Sequence, residues 1–233
     1  MKTIKLLLIE DDINLSYIIK SSLEEIIGGY EVDTAANGAE GLVLWKELHP
    51  DIIVSDIEMP VMNGLEMVKK IRQTDMKIPI VFVTGKIASK DVTTGYEAGV
   101  NNYIKKPFSP EELDAHIKAL INLKNDMKVR TKNKLYQVGK YLFDPKNFTL
   151  TYDNSEKKGL TARESKILEL LSKHKGEIVK REDFLEMFWE NQDSTFASRS
   201  LDVFISKLRK YLSKDTSISI KTIKTTGLIL DFE

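Results

Sequence analysis

The first half of the chain alternates short apolar, β-branched runs with longer amphipathic segments, a pattern that few folds can accommodate. The short runs predict strands, and the apolar residues of the longer segments recur every three or four positions, which predicts helices. Five such strand and helix pairs in succession are typical of a parallel sheet flanked by helices. The predicted strands are Ile4–Ile9, Tyr30–Thr34, Ile52–Ser55, Ile78–Val83 and Asn102–Lys105. The predicted helices are Ile13–Ile27, Gly38–Leu48, Gly64–Gln73, Ser89–Ala98 and Pro110–Leu123.

A polar, basic stretch after the fifth helix predicts a linker over residues 124–134, which divides the 233 residues into domains 1–123 and 135–233. In the second domain, alternating apolar residues over Leu135–Thr151 predict short antiparallel strands. Amphipathic stretches predict helices at Ala162–Lys173, Arg181–Trp189 and Ser198–Leu212. Ile218–Lys224 and Leu228–Phe232 predict a terminal hairpin.

The composition excludes several classes of site. Cysteine is absent, which rules out a disulfide framework, a thiolate zinc site and a cysteine nucleophile. The longest apolar run, Ile4–Ile9, falls far short of the roughly 18 residues that span a bilayer. Acidic residues follow it at once, so no secretory signal is expected. These features predict a cytoplasmic protein without a membrane partner.

The two halves differ in charge. Residues 1–124 carry 14 Lys and Arg against 19 Asp and Glu, a net charge of −5, so the rest of this neutral chain carries +5. Within Phe196–Lys224, seven Lys and Arg stand against two Asp. Such a stretch indicates either a polyanionic partner or a solvated basic face, and charge alone leaves both open.

Acidic residues follow the first and third predicted strands. If the sheet has the flavodoxin-like order, these strands are neighbours, and Asp11, Asp12 and Asp56 converge on one site. Crowded carboxylates repel one another unless a hard cation such as Mg²⁺ neutralises them. Asp56 can then act as a nucleophile towards phosphorus, while Lys106 neutralises a phosphoryl oxygen and the Thr84 hydroxyl donates to another.

This set of residues resembles the receiver domain of two-component response regulators. The matching motifs are Glu10-Asp11-Asp12, Asp56-Ile-Glu-Met-Pro60, Asn63-Gly64, Thr84-Gly85 and Tyr103-Ile-Lys-Lys106-Pro-Phe108. The resemblance implies that Asp56 is the phosphoacceptor and that Asp11, Asp12, Asp56 and the Glu58 carbonyl bind Mg²⁺. It also implies that Thr84 and Tyr103 form a switch pair.

The predicted helix over Ser198–Leu212 has one apolar and one cationic face, which suits a helix laid in the major groove of DNA. A solvated basic helix would show the same pattern. The rest of the domain resembles the winged-helix effector of the OmpR/PhoB subfamily over about residues 135–232. The matching residues are Val138-Gly139, Phe143-Asp144, Leu160 to Glu164, Arg181-Glu182, Trp189 and Arg199 to Arg209. The predicted DNA contacts are Arg199, Ser200, Val203, Phe204, Lys207, Arg209, Lys210, Lys221 and Lys224.

The sequence departs from the family at positions that usually form ion pairs between subunits. Asn101 and Asn102 replace two aspartates, Val92 replaces an arginine, and His116 stands where an arginine is often found. Surface ion pairs contribute only ~0–1 kcal/mol each, but losing several could weaken or redirect a dimer. The wing also lacks the usual Arg-Gly-x-Gly-Tyr pattern, which makes the wing contacts less secure.

We therefore expect a flavodoxin-like (βα)5 receiver followed by a C-terminal winged helix-turn-helix domain. The expected protein is a transcription factor and not an enzyme. A sensor histidine kinase phosphorylates Asp56, and a homodimer then binds double-stranded promoter DNA. RNA polymerase is a potential further partner.

Two alternatives to this function remain. One is a phosphorylation-independent DNA-binding regulator. The other is an Mg²⁺-dependent phosphatase, since Asp56-x-Glu58 resembles the haloacid-dehalogenase nucleophile motif, although that motif normally follows the first strand.

Overall fold

The computed structural model describes residues 3–85, 89–129, 134–189 and 194–232. The chain forms two compact units, Met1–Lys124 and Asn125–Glu233. In the described part of the chain, no helix is both long enough and apolar enough to cross a membrane.

The first unit is a parallel sheet with a helix after each strand. Its strands are β1 (Ile4–Ile9), β2 (Tyr30–Ala35), β3 (Ile52–Asp56), β4 (Ile80–Thr84) and β5 (Asn102–Lys105). Its helices are α1 (Ile13–Ser21), α2 (Gly38–Leu48), α3 (Gly64–Ile71), α4 (Ser89–Ala98) and α5 (Pro110–Val129). The strand order β2-β1-β3-β4-β5 is the flavodoxin-like order, which confirms the predicted receiver fold.

Both faces of the sheet are buried at its central strands, as expected for parallel strands. On one face, Leu6 and Leu8 share a core with side chains of α1 and α5, including Ile19 and Ile117. The neighbouring residue Ile9 points to the opposite face, where its side chain lies against α2. The central strands β1, β3 and β4 are therefore nearly continuous apolar runs, whereas the edge strand β2 alternates apolar and polar residues.

The first helix differs from the prediction of a single α-helix over Ile13–Ile27. The α-helix ends at Ser21 and continues as a π-helical turn over Ser22–Ile27. Within that turn, the Glu24 carboxylate accepts a hydrogen bond from the Val32 N–H at 2.8 Å. Val32 lies on the edge strand β2, whose outer backbone groups would otherwise lack a partner. Hydrophobic periodicity does not reveal such a contact.

Helix α5 is longer than predicted. It extends to Val129, so the predicted linker 124–134 begins as helix. The residues of the predicted linker are mostly polar but include no Gly or Pro, and polarity alone does not end a helix. The Lys124 ammonium donates to the Asp51 carbonyl at 3.3 Å and so belongs to the first unit. Residues 130–133 of the predicted linker lie outside the described residues.

The described residues of the second unit form two antiparallel sheets and three helices. The first sheet has the strands β6 (Tyr136–Val138), β7 (Tyr141–Asp144), β8 (Thr149–Tyr152) and β9 (Glu156–Gly159) in sequence order. The helices are α6 (Ala162–Lys173), α7 (Arg181–Trp189) and α8 (Ser194–Leu212). The second sheet has the order β10-β12-β11, with β10 (Val179–Lys180), β11 (Ser219–Ile223) and β12 (Gly227–Asp231). This is the predicted winged-helix arrangement, in which the hairpin of β11 and β12 forms the wing.

Two strands and one helix start were not predicted correctly. Strand β9 reads Glu-Lys-Lys-Gly and β10 has only two residues, so neither carries an apolar alternation. Helix α8 begins at Ser194, before the predicted start at Ser198.

Asp215 ties the loop after α8 to the turn between β6 and β7. Its buried carboxylate accepts from the Lys140 N–H at 2.7 Å, the Ser217 N–H at 3.0 Å and the Ser217 hydroxyl at 2.8 Å. These hydrogen bonds, above all the one from Lys140, lower the pKa of Asp215 below its ordinary value of 3.8.

We expect Asp215→Asn to lower the melting temperature near neutral pH and to have progressively less effect in acid. Because folding lowers this pKa, the stabilisation by the carboxylate is fully present above pH 3.8 and is lost as the pH falls through the lower pKa of the folded state. Thermal melts of both proteins between about pH 3 and pH 7 measure the difference. A difference that stays constant across this range would contradict the assignment.

Candidate functional site

Three acidic side chains meet at the carboxyl ends of β1 and β3, where the connections of the sheet diverge. Glu10 and Asp11 follow β1, and Asp56 ends β3. Each offers a carboxylate oxygen within 4.8 Å of the other two. Glu10 is buried, Asp56 is half-buried and Asp11 is exposed, so solvent reaches the cluster from the Asp11 side. The structure thus brings Asp11 and Asp56 together, as the sequence predicts, and adds Glu10.

The Lys106 ammonium lies between two of these carboxylates. It donates to Asp56 Oδ2 at 2.5 Å and to Glu10 Oε2 at 2.7 Å. Burial by itself lowers the pKa of Lys106, but the hydrogen bonds to Asp56 and Glu10 outweigh that effect and leave the pKa above its usual value. Burial raises the pKa of Glu10, and Lys106 offsets only part of the rise. Lys106 therefore stays protonated and supplies a cation beside Asp56.

The backbone after β3 also orients Asp56. The N–H groups of Ile57 and Glu58 donate to Asp56 Oδ1 at 2.5 and 3.3 Å. Helix α3 begins close behind, capped by Asn63. A Cβ on Gly64 would lie 2.3 Å from the Asp56 carbonyl oxygen, so only glycine allows this approach.

Two predicted metal ligands have other surroundings. Asp12 caps α1, because its Oδ1 accepts from the N–H groups of Asn14 and Leu15 at 2.9 and 3.1 Å. It is not part of the three-carboxylate cluster that the described residues form. The Glu58 side chain is exposed, and the prediction for this residue concerns its carbonyl. The ligand roles of Asp12 and Glu58 therefore stay predictions.

Thr84 and Tyr103, the predicted switch pair, are both buried on the neighbouring strands β4 and β5. Together with Ile57 and Glu58 they line a cavity of about 140 Å³. The Tyr103 ring packs edge-on against Phe82, with ring centroids 5.5 Å apart. The pair therefore lies beside the residues that orient Asp56.

The donor set of the acidic cluster suits a hard divalent cation. Carboxylate oxygens are the ligands that Mg²⁺ prefers, and three carboxylates are more than one ammonium can neutralise. Of the three, Glu10 is buried, whereas Asp11 is exposed and Asp56 is half-buried, so an ion from solvent reaches these two carboxylates first. Asp11 and Asp56 are therefore the residues best placed to hold the ion.

Helix α8 buries three of the residues predicted to contact DNA. Ser200 is fully buried, and its hydroxyl donates to a carbonyl one helical turn earlier. Phe204 is fully buried and packs against Trp189, with ring centroids 5.9 Å apart. Lys207 is buried, and its ammonium pairs with the buried Glu164 carboxylate. The predictions for Ser200, Phe204 and Lys207 are therefore wrong, because each side chain is committed to the core.

The remaining predicted DNA contacts divide into two groups. Arg209 donates to the Ile220 carbonyl at 2.9 and 2.7 Å and to the Thr222 hydroxyl at 2.8 Å, so it fastens α8 to the wing. Lys221 pairs with Asp231 at 3.3 Å on the surface. In the second group, the Arg199, Lys210 and Lys224 side chains are exposed and Val203 is half-buried.

Arg181 is a positioning residue that was not predicted from the sequence. It donates to the Ser198 hydroxyl at 2.9 Å, to the Ser198 carbonyl at 2.6 Å and to Asp202 Oδ1 at 2.9 Å. These bonds hold the start of α7 against α8. Arg181 stands among the family-matching residues, but linear spacing gives no signal for this contact.

The residues at the expected dimer positions are engaged inside the receiver. Asn101 is buried, and its Oδ1 accepts from the Ile80 N–H at 2.9 Å and from Arg72 at 3.1 Å. The buried Asn102 amide and His116 Nδ1 are hydrogen-bonded at 3.0 Å. These side chains therefore stabilise the receiver itself.

Family models match both halves of the chain. The model of the response regulator receiver domain matches residues 6–118, and that of the C-terminal domain of transcriptional regulatory proteins matches residues 155–230.

Individual relatives span nearly the whole chain. It is 35% identical to the transcriptional regulatory protein RprY of Bacteroides fragilis (strain YCH46), over 96% of this chain and 93% of that protein. It is 32% identical to the alkaline phosphatase synthesis transcriptional regulatory protein PhoP of Bacillus subtilis (strain 168), over 97% of this chain and 96% of that protein.

Solved structures share the architecture. The response regulator DrrB of Thermotoga maritima, an OmpR/PhoB homologue, is 29% identical, with a TM-score of 0.51 over 99% of this chain and 100% of that one. A RitR mutant has the same fold, with a TM-score of 0.74 at 23% identity over 98% of this chain and 99% of that one. The chain therefore belongs to the OmpR/PhoB-type response regulators, transcription regulators that join a receiver domain to a DNA-binding winged-helix domain.

Proposed function

We propose that Asp56 accepts a phosphoryl group from a sensor histidine kinase and that the phosphorylated protein binds promoter DNA as a homodimer. The observation that carries this proposal is the Lys106 ammonium, 2.5 Å from Asp56 Oδ2 within a cluster of three carboxylates. A carboxylate can attack phosphorus to give an acyl phosphate. A fixed cation beside it stabilises the charge that the phosphoryl group adds.

In the transfer, an Asp56 oxygen bonds to phosphorus while the bond from phosphorus to the kinase imidazole breaks. Asp56 is favoured over Asp11 because Lys106 and two backbone N–H groups orient its carboxylate. Asp11 and Asp56 would hold Mg²⁺, with Asp12 and the Glu58 carbonyl as further proposed ligands. When bound, Mg²⁺ supplies positive charge that stabilises phosphoryl oxygens.

The added phosphoryl group brings negative charge and acceptor oxygens. We propose that the Thr84 hydroxyl donates to it and that Tyr103 responds through the cavity the two residues share. The changed receiver surface then favours a dimer, which presents two copies of α8 to two half-sites. RNA polymerase would be the next partner at the promoter, and these partners imply a cytoplasmic protein.

The proposed DNA surface is the exposed side of α8 together with the wing. Arg199, Lys210 and Lys224 are exposed cations that suit phosphates or guanine edges. Val203 suits a thymine methyl group. Lys221 adds charge on the wing beside its partner Asp231.

A second candidate function keeps DNA binding without the switch. Asn101, Asn102 and His116 are buried and hydrogen-bonded within the receiver, which argues against an ionic dimer interface at these positions. Such a regulator would bind DNA whether or not Asp56 is phosphorylated. We propose no separate enzymatic activity, because the relatives are transcription regulators and Asp56-x-Glu58 follows the third strand.

We expect phosphorylation to raise DNA affinity by at least about tenfold. The Kd is measured with and without acetyl phosphate and Mg²⁺, on a duplex selected from random DNA by the treated protein. Asp56→Asn should take up no phosphate and show no gain. Glu47→Gln, which changes an exposed carboxylate on α2, should behave like the wild type. Unchanged labelling of Asp56→Asn would refute the acceptor assignment, and tight binding without any phosphate dependence would favour the second candidate.

We expect Lys106→Met to lower the free energy of unfolding by about 2 kcal/mol, because it leaves the buried Glu10 and half-buried Asp56 carboxylates without their cation. Mg²⁺ should restore more stability to this variant than to the wild type, since the ion replaces the lost charge. Urea unfolding with and without Mg²⁺ measures both effects. Lys118→Met removes an exposed lysine paired with Asp114 and should cost less than about 1 kcal/mol, independent of Mg²⁺. Equal responses to Mg²⁺ in the two variants would count against the site.

We expect two lysines of α8 to behave oppositely. Lys210→Ala should reduce the slope of log Kd against log salt by about 1 without changing stability, because an exposed lysine can neutralise one phosphate. Lys207→Met should lower the melting temperature and leave that slope unchanged, because Lys207 pairs with buried Glu164. Salt titrations of DNA binding and thermal melts distinguish the two roles, and the reverse pattern would overturn the assignment.

A further inference from the structure

The Tyr103 side chain extends from β5 to helix α4. It is buried, and its ring packs edge-on against Phe82 on β4 and against Tyr96 on α4, with centroid separations of 5.5 and 5.1 Å. This aromatic cluster holds the ring in one direction. The hydroxyl end of Tyr103 therefore meets the backbone of α4.

The residue of α4 at that point is Gly95. A Cβ on Gly95 would lie 1.6 Å from the Tyr103 hydroxyl oxygen and 2.8 Å from Cζ of the same ring. Any residue with a side chain would therefore have to displace Tyr103 or move the helix. Glycine is less favourable than alanine inside a helix, so α4 loses intrinsic stability at the point where the Tyr103 hydroxyl needs room.

On its other side, Tyr103 faces the environment of the acceptor. The cavity of about 140 Å³ that it lines is also lined by Ile57, Glu58 and Thr84. The N–H groups of Ile57 and Glu58 donate to Asp56 Oδ1. A continuous set of neighbours therefore leads from Asp56, through the loop after β3 and the cavity, to Tyr103 and the backbone of α4.

We propose that Gly95 is a positioning residue of the receiver. Because Gly95 has no side chain, the Tyr103 side chain packs against α4, and this contact couples the phosphorylation state of Asp56 to the surface formed by α4. The inference rests on the proposed function and adds the residue on which the response depends. Gly95 takes no part in phosphoryl transfer, because its contact is with Tyr103 and not with the acidic cluster.

The test compares Gly95→Ala with the wild type in two measurements on the full chain. Incorporation of phosphate from acetyl phosphate should stay within about twofold of wild type, because the acceptor site is intact. The gain in DNA affinity on phosphorylation should fall by at least about fivefold, because the Tyr103 side chain can no longer pack against α4. Glu97→Ala places an alanine at an exposed position of the same helix and should retain the full gain.

A double-mutant cycle shows whether Gly95 acts through Tyr103. Tyr103→Leu shortens the side chain that meets Gly95, so adding Gly95→Ala to Tyr103→Leu should cause no further loss of the gain. A further loss in that background would overturn the proposal. If Gly95→Ala alone fails to fold, the double variant should fold, and failure of both would equally overturn it.

The outcomes separate this inference from the proposed function. A wild-type protein that takes up no phosphate, or gains no DNA affinity from it, overturns the proposed function and this inference with it. A wild-type protein that gains affinity, together with Gly95→Ala that gains as much, overturns the role of Gly95 alone.

Discussion

The receiver depends on one ammonium group shared between two carboxylates. Lys106 follows β5, Asp56 ends β3 and Glu10 follows β1, so these bonds join the ends of three parallel strands. Without this cation, burying Glu10 beside Asp56 and Asp11 would be costly. The hydrogen bonds that hold these strand ends together therefore also assemble the candidate acceptor site. The strand order makes this possible, because it places the ends of β1, β3 and β5 at the same edge of the sheet.

In the second unit, several cationic side chains are bonded to other groups of the protein, which limits the number that can contact DNA. Lys207 pairs with Glu164, Arg181 holds the start of α7 against α8, and Arg209 fastens α8 to the wing. These three cations position the helix. Fewer charges of the basic stretch are therefore available to DNA than the sequence suggests. Arg199 and Lys210 are the main candidates on α8 for contacts with DNA.

Hydrophobic patterning predicted the five strand and helix pairs of a parallel sheet, because buried parallel strands are short apolar runs. The motifs at the strand ends, through their resemblance to the family, predicted the receiver and its site. Strands β1 and β5 have the predicted bounds, and the meeting of Asp56 with Lys106 followed from strand ends. The sequence could not show that Lys207 turns inward, because its partner Glu164 is distant along the chain. It also could not show Glu10 joining the acidic cluster, because a strand-end position does not reveal whether the side chain turns towards Lys106 and Asp56.

The central claim is that the arrangement around Lys106 makes Asp56 the residue that carries the phosphoryl group. The most direct measurement treats the protein with acetyl phosphate and Mg²⁺, reduces the acyl phosphate with borohydride, and locates the modified residue by peptide mass spectrometry. The account predicts modification at Asp56 alone. Modification at Asp11, Asp12 or Glu10, or at a histidine, would contradict it.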